Sequence, residues 1–239
     1  MYNSHGTIRD NVTSENRAQC SGGGLHYCHG TIQNNLITGN STNVFGGGLS
    51  KCEGTILNCI IWGNSAPTSP QISASDLPTY SCIQDWTKGG EGNTADDPGF
   101  LDADGPDDDP STYEDNDYRL AAASPCIDTG RKEDSLWETV DLDGNLRILP
   151  GDSVWKVDMG AYEYVSPTYT YMDYIRKSDD GIQLIWTSQE GEAYTVLSCL
   201  DLDNGTWTEQ ATVDSQGVAT SWTDTLPPQN MKFYRVESN

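Results

Sequence analysis

Over the first 65 or so residues, single apolar side chains recur between polar ones, and they recur in step with themselves. A shift of 24 positions aligns Ile8, Ile32 and Ile56, then Val12, Leu36 and Ile60, and it brings Leu25 onto Leu49. The same shift aligns Gly6, Gly30 and Gly54, Thr7, Thr31 and Thr55, and Asn16, Asn40 and Asn64, without a gap. Gly22-Gly23-Gly24 likewise falls on Gly46-Gly47-Gly48. Such a period marks a stacked repeat. Each copy offers three short strands with one inward apolar residue apiece: the Leu25 column, the Ile8 column and the Val12 column. Gly and Asn at fixed places supply corners with positive φ. Coils stacked about 4.8 Å apart satisfy one another's backbone groups, and Asn16, Asn40 and Asn64 form an amide ladder along the stack. The pattern predicts an all-β chain that opens with a parallel β-helix of 24-residue coils, right-handed like other parallel crossovers. An α-solenoid is excluded because triple glycines with frequent Thr, Ile and Asn are poor helix material.

The phrases GGGL, GTI and I-x-G-N (37–40 and 61–64) make residues 1–66 similar to the pectate-lyase-like right-handed β-helix family. That resemblance implies a fold and leaves function open, since the scaffold hosts lyases, hydrolases, adhesins and inert spacers. Met1 falls inside a coil. The expectation is therefore a piece of a longer protein, with further coils and an export signal upstream.

From residue 67 the period lapses and a series of motifs follows: YSCIQDW (80–86), DDPGFLDAD (96–104), DYRLAAASPCIDTG (117–130), DLDGNLR (141–147) and VDMGAYEY (157–164). In order and wording this block resembles the end of bacterial choice-of-anchor Q proteins. The resemblance implies a secreted or surface-bound protein without an assigned activity. The block reads as the last coils plus a cap, with strands at 118–120 and 161–164 continuing the stack, so the first domain spans 1–165.

From about residue 171 the pattern becomes strict alternation with turn signals, giving strands at 181–187, 193–199, 206–213, 219–223 and 232–236 and a hairpin at Asp203-Asn204-Gly205. The expected product is a small antiparallel β-sandwich over 166–239, reached by a linker at 165–170. The segments 185–202 and 233–238 resemble fibronectin-like modules.

Charge refines the picture. The chain of 239 residues carries a formal net charge of −23, which opposes contact with nucleic acid or anionic membrane surfaces. No apolar run approaches the roughly 20 residues that would insert in a bilayer. The net charge is −1 over residues 1–90, −15 over 91–165 and −7 over 166–239, so the acidity belongs to the capping block. Asp141, Asp143 and Asn145 have the alternate spacing of calcium-loop oxygens, and Asp102 and Asp104, with Asp107, Asp108 and Asp109, form a second carboxylate group that calcium would bridge. Without calcium both are solvated loops.

On the coils, His5, His29 and Glu53 share one position and form an outward column, either a transition-metal site or polar residues before a corner. Cys28 and Cys52 also share a position, so they are either a disulfide or two buried thiols. The use of seven cysteines favours an extracellular location. Trp62, Trp86 and Tyr80 would stack on sugar rings if exposed, or would pack at sheet ends. Asn11, Asn40 and Asn204 lie in N-x-Ser/Thr sequons. A lyase needs a basic cluster and a hydrolase a carboxylate pair. The coils offer only Arg9, Arg17 and Lys51, with Asp10, Glu15 and Glu53. These observations favour a non-catalytic surface protein for adhesion, glycan binding or spacing. The competing reading is the C-terminal part of a polysaccharide lyase or glycoside hydrolase.

Overall fold

In the computed structural model, Ile8 lies beside Ile32 and Ile32 beside Ile56, in a parallel sheet of strands Thr7–Arg9, Gly30–Gln33 and Gly54–Leu57. A second parallel sheet stacks Val12–Ser14, Leu36–Thr38, Ile60–Trp62 and Cys82–Ile83. A third stacks Leu25–His26, Leu49–Ser50 and Ile72–Ser73. Together they make a parallel β-solenoid of about three turns. The structure describes all residues except 108–114, 137–138, 151–154, 166–171, 179–180, 201–205, 218, 226–231 and 239. They divide into two units, Met1–Tyr164 and Val165–Asn239.

The interior of the solenoid holds the Ile8 column, the Leu25 column extended by Ile72, and the neighbours Ile37, Ile61 and Ile83, with Cys28, Cys52 and Cys59 between them. The Val12 column is not part of it, which corrects the sequence reading. Leu36 and Ile60 join Cys82 in a separate cluster with Leu120, Cys126, Met159 and Ala161. Successive side chains on a strand point to opposite faces. In the pair Leu36-Ile37 the second residue faces inward and the first outward, and the same holds for Ile60-Ile61. Both faces of the second sheet are therefore buried, one by the interior and one by residues 120–164. A sequence pattern alone cannot tell which member of such an apolar pair faces in.

A corner glycine shows how tightly the rungs sit. Gly54 has φ of 118°, and a Cβ on it would lie 2.3 Å from the Gly30 carbonyl oxygen, so no other residue fits without moving the rung. The Asn ladder is continuous. Asn16 Nδ2 donates to Asn40 Oδ1 at 2.9 Å and Asn40 Nδ2 to Asn64 Oδ1 at 3.0 Å. It then passes to residues that the period does not reach, with Asn64 Nδ2 donating to Gln71 Oε1 at 2.8 Å and Gln71 Nε2 to Gln84 Oε1 at 2.9 Å.

The described residues of 96–164 cover the flank of the second sheet. The expected continuation of the stack is not found there. Asp117–Leu120 pairs antiparallel with Phe100–Asp102, and residues 161–164 form no strand. The segment is tied to the corner residue Asn58 instead. Asn58 Nδ2 donates to Arg131 O at 2.9 Å, Arg131 N donates to Asn58 Oδ1 at 2.7 Å, and Gly160 N donates to Asn58 O at 2.8 Å. Gly160, with φ of 98°, lies so close to Ile60 that a Cβ would sit 2.6 Å from Ile60 Cδ1.

The second unit has two antiparallel three-stranded sheets. One runs Met172–Ser178, Gly181–Thr187, Ala219–Asp224, and the other Thr208–Asp214, Ala193–Cys199, Phe233–Ser238. Leu184 and Trp186 from one sheet pack on Tyr194 and Val196 from the other. The hairpin expected at 203–205 and the linker residues 166–170 lie outside the described residues. Among the described residues no helix is long and apolar enough to cross a membrane.

Candidate functional site: an aromatic pocket and a buried charge cluster

The turn after strand Cys82–Ile83 puts Asp85 at φ of 56° and carries Gln84, Asp85, Trp86 and Lys88 to one side of a cavity of about 110 Å³. Pro70, Ile72 and Trp86 supply its apolar lining, and Ser69, Gln71, Gln84, Asp85 and Lys88 its polar groups. Trp86 rests against the solenoid interior, and its indole N–H donates to Gly89 O at 2.6 Å. Lys88 Nζ lies 5.4 Å from the centre of the Trp86 ring. Gln84 also ends the amide chain described above. Its Oε1 accepts from Gln71 and, at 2.8 Å, from Gly63 N, and each amide along such a chain polarises the next. The terminal amide donor of that chain thus belongs to a residue lining the pocket. Sequence reasoning named Trp86 but missed Gln71 and Gln84, because neither falls on the repeat. Trp62 packs instead against the Leu36–Ile60 cluster, and Tyr80 joins the same cluster while donating its hydroxyl to Glu91 Oε1 at 2.8 Å.

A second arrangement lies beneath the flanking segment. Arg147 is fully buried. Its Nη1 donates to Glu163 Oε1 and to Gly160 O, both at 3.0 Å, and its Nη2 donates to Ala161 O at 2.8 Å and pairs with Asp10 Oδ1 at 2.9 Å. Glu163 Oε2 accepts from Asp158 N at 2.9 Å, while Asp158 accepts from Asp128 N at 2.7 Å and Tyr164 N at 2.6 Å. One guanidinium thus faces the buried Glu163 and the partly buried Asp10, with the buried Asp158 one hydrogen bond beyond Glu163. Burial pushes the Asp158 carboxyl up to about 7 against the pull of those N–H donors, and it raises Glu163 well above the ordinary range and Asp10 to a lesser degree.

These directions set the pH dependence. A carboxyl whose affinity for a proton is higher in the folded state stabilises the fold at low pH, and that contribution is lost as pH rises through the folded value. For Asp158 the window runs from about pH 4 to pH 7, with an upper bound of about 4 kcal/mol, and Glu163 acts in the same direction. Urea unfolding midpoints are expected to be higher at pH 5.5 than at pH 8, and Asp158→Asn to flatten the difference. A midpoint that is lower at pH 5.5 contradicts this reading.

Asp141, expected as a calcium ligand, uses both oxygens otherwise. Oδ1 accepts from Asp143 N at 2.9 Å and Asn145 N at 2.8 Å, and Oδ2 accepts from Glu163 N at 2.7 Å and Asn145 Nδ2 at 3.2 Å. The carboxylate closes its own loop and fastens it to Glu163. Burial raises Asp143. Asp102 and Asp104 lie in and just after strand Phe100–Asp102, and Asp108 and Asp109 fall outside the described residues. Among the described residues no three His, Cys, Asp or Glu side chains converge as metal ligands.

The remaining candidates are placed as follows. His5 and His29 stack with ring centres 5.4 Å apart and planes at 16°, and His29 Nδ1 is 3.8 Å from Glu53 Oε2 while accepting from Glu53 N at 3.3 Å. Tyr2 stacks on His26 at 5.7 Å and Lys51 Nζ donates to Tyr27 Oη at 2.8 Å, so all three histidines of the chain lie on one outer corner. Cys28 and Cys52 are neighbouring, fully buried thiols, with Cys28 Sγ donating to His26 O at 3.6 Å and Cys52 Sγ to Ser50 O at 3.5 Å. Asn40 spends its side-chain amide on the ladder, and Asn11 Nδ2 donates to Arg9 O at 2.6 Å. Asn204 lies outside the described residues.

Fold and sites together define a parallel β-solenoid with a flanking segment locked on by a buried ion cluster, followed by a unit of antiparallel sheets. Compared with known proteins, the chain matches no family model, no curated protein and no solved structure.

Proposed function

We propose that this chain is a non-catalytic extracellular protein, secreted or held at a bacterial cell surface, whose right-handed β-helix of 24-residue coils binds glycan at Trp86. In this reading the flanking segment is a choice-of-anchor Q type block and the second unit a fibronectin-like sandwich that spaces or anchors. The observation that carries the proposal is the cavity beside Trp86. An aromatic face offers apolar contact to the C–H side of a sugar ring, and Gln84, Asp85 and Lys88 offer donors and acceptors to its hydroxyls. The strong negative charge turns away polyanionic partners, which favours a neutral polysaccharide. Calcium enters as a bridge at Asp141 and Asp143 or in the Asp102–Asp104 loop, tested by comparing melting temperatures in excess calcium and in chelator.

Titration of neutral oligosaccharides, followed by tryptophan fluorescence and calorimetry, is expected to show saturable binding that Trp86→Ala weakens at least about tenfold, or 1.4 kcal/mol. Equal binding by wild type and Trp86→Ala removes the pocket from the proposal. Release of new reducing ends or unsaturated uronates from polygalacturonate would instead support the C-terminal part of a lyase or hydrolase.

A further inference from the structure

Among the seven cysteines, two meet across the seam between the solenoid and its flank. Cys82 sits in strand Cys82–Ile83 beside Ile60, on the outer face of the second sheet, and Cys126 lies in the covering segment. Both are fully buried in one cluster with Leu36, Ile60 and Met159, where the Cys82 thiol donates to Asp96 O at 3.2 Å and lies next to the Cys126 thiol. The backbone on each side is pinned. Cys82 N donates to Cys59 O at 2.9 Å, Met159 N donates to Cys126 O at 3.0 Å, and Cys126 N donates to Ser124 Oγ at 3.1 Å. Two neighbouring thiols carried on independently fixed backbones are placed for the close approach that a disulfide requires. Cys28 and Cys52 also neighbour each other, but on adjacent rungs of the solenoid rather than across this seam. Cys59 points into the interior toward Ile32 O and Leu57 O, Cys20 is exposed, and Cys199 belongs to the second unit.

We infer that Cys82 and Cys126 form a disulfide that clasps the flanking segment onto the solenoid. The oxidant is a small or protein disulfide such as glutathione disulfide. The Cys82 thiolate attacks one of its sulfurs and expels a glutathione thiolate. The Cys126 thiolate then attacks the Cys82 sulfur of the mixed disulfide and expels the second. Two electrons pass to glutathione, and the protons released by the two cysteines end on the leaving thiolates. Because both sulfurs are shielded once the flank is down, exchange runs before residues 120–164 close over the sheet, and the finished bond resists reductants. A link spanning more than 40 residues of chain restricts the unfolded state strongly, so its effect on stability is large.

The test uses the full chain refolded in a buffer of reduced and oxidised glutathione, then blocked with N-ethylmaleimide under denaturing conditions. Cleavage after Lys and Arg and before Asp isolates Cys82 in 76–84 and Cys126 in 120–127, apart from every other cysteine. The expected result is one linked species, lighter than the sum of its two peptides by two hydrogens and resolved by reduction. Alkylation of both residues, or linkage of either to a third cysteine, overturns the inference. In the double variant Cys82→Ala, Cys126→Ala the difference in melting temperature between oxidised and reduced protein is expected to shrink by about 5 °C or more. An unchanged difference counts against the clasp, and if the variant does not fold the map of the wild-type chain decides alone.

Discussion

Arg147→Leu is expected to lower the stability of the first unit by about 3–5 kcal/mol, the cost of removing one partner from a buried ion pair. The guanidinium is fully buried and is the shared partner of Asp10 from the first coil and Glu163 from the flank. Its loss also strips donors from the carbonyls of Gly160 and Ala161. Arg147→Lys keeps the charge but not the planar fork, so about half the loss is expected to remain. The double variant Arg147→Leu, Glu163→Leu is expected to recover part of it, because apolar residues of similar volume replace a buried pair at little cost. Urea denaturation at pH 8 measures all three. The loss is expected to shrink as pH falls, because burial raises Glu163 and favours its protonated form. A single-variant loss under about 1 kcal/mol would mean that the cluster is solvated and that the flank is held by its apolar contacts.

Asn40→Leu is expected to cost a similar amount, about 3–5 kcal/mol, for a different reason. The side chain is fully buried. Its Nδ2 donates to Thr13 O at 2.8 Å, Thr38 O at 2.9 Å and Asn64 Oδ1 at 3.0 Å, and its Oδ1 accepts from the Asn16 backbone N–H at 3.0 Å. Leucine strips the side-chain partner from the Thr13 and Thr38 carbonyls and from the Asn16 N–H, at about 1–3 kcal/mol for each group left unpaired. Asn16→Ala, in the same column, is expected to cost under about 1 kcal/mol, since Asn16 is exposed at the end of the ladder. Hydrogen exchange at the backbone amides of residues 13–16 and 38–41 resolves the difference. Equal losses at the two positions would show that the ladder contributes through its ends as much as its middle.

The repeat was legible because each rung presents the same environment, and a parallel stack requires equivalent residues at equivalent corners. Ile8, Ile32 and Ile56 fall side by side as their spacing predicts, and two strands of the second unit, Gly181–Thr187 and Ala193–Cys199, end where the alternation does. The direction of the Val12 column was misread because Leu36 and Ile37, like Ile60 and Ile61, are apolar neighbours. Alternation fixes that they face opposite ways but not which one faces in. Asp141 has the spacing of a calcium-loop oxygen, and the structure adds that its carboxylate accepts the Asp143, Asn145 and Glu163 N–H groups, a use that spacing alone does not reveal. Gln71 and Gln84 carried no signal at all, since the chain of amides reaches them only after the period has lapsed.

What the sequence determined by itself is the local rule of the chain. Short strands with Gly, Asn and Asp at positive-φ corners repeat until the spacing fails, and an alternating module follows. That information is periodic, and periodicity survives in one dimension. What only the tertiary structure decided is how the acidic segment is used. The residues that join Asp10 to Arg147 and Glu163, and Cys82 to Cys126, are far apart in the chain and related by no period. Their meeting depends on residues 96–164 folding back along the outer face of the second sheet. The driving force is that sheet's outward apolar column, Val12, Leu36, Ile60 and Cys82, which would otherwise remain in water.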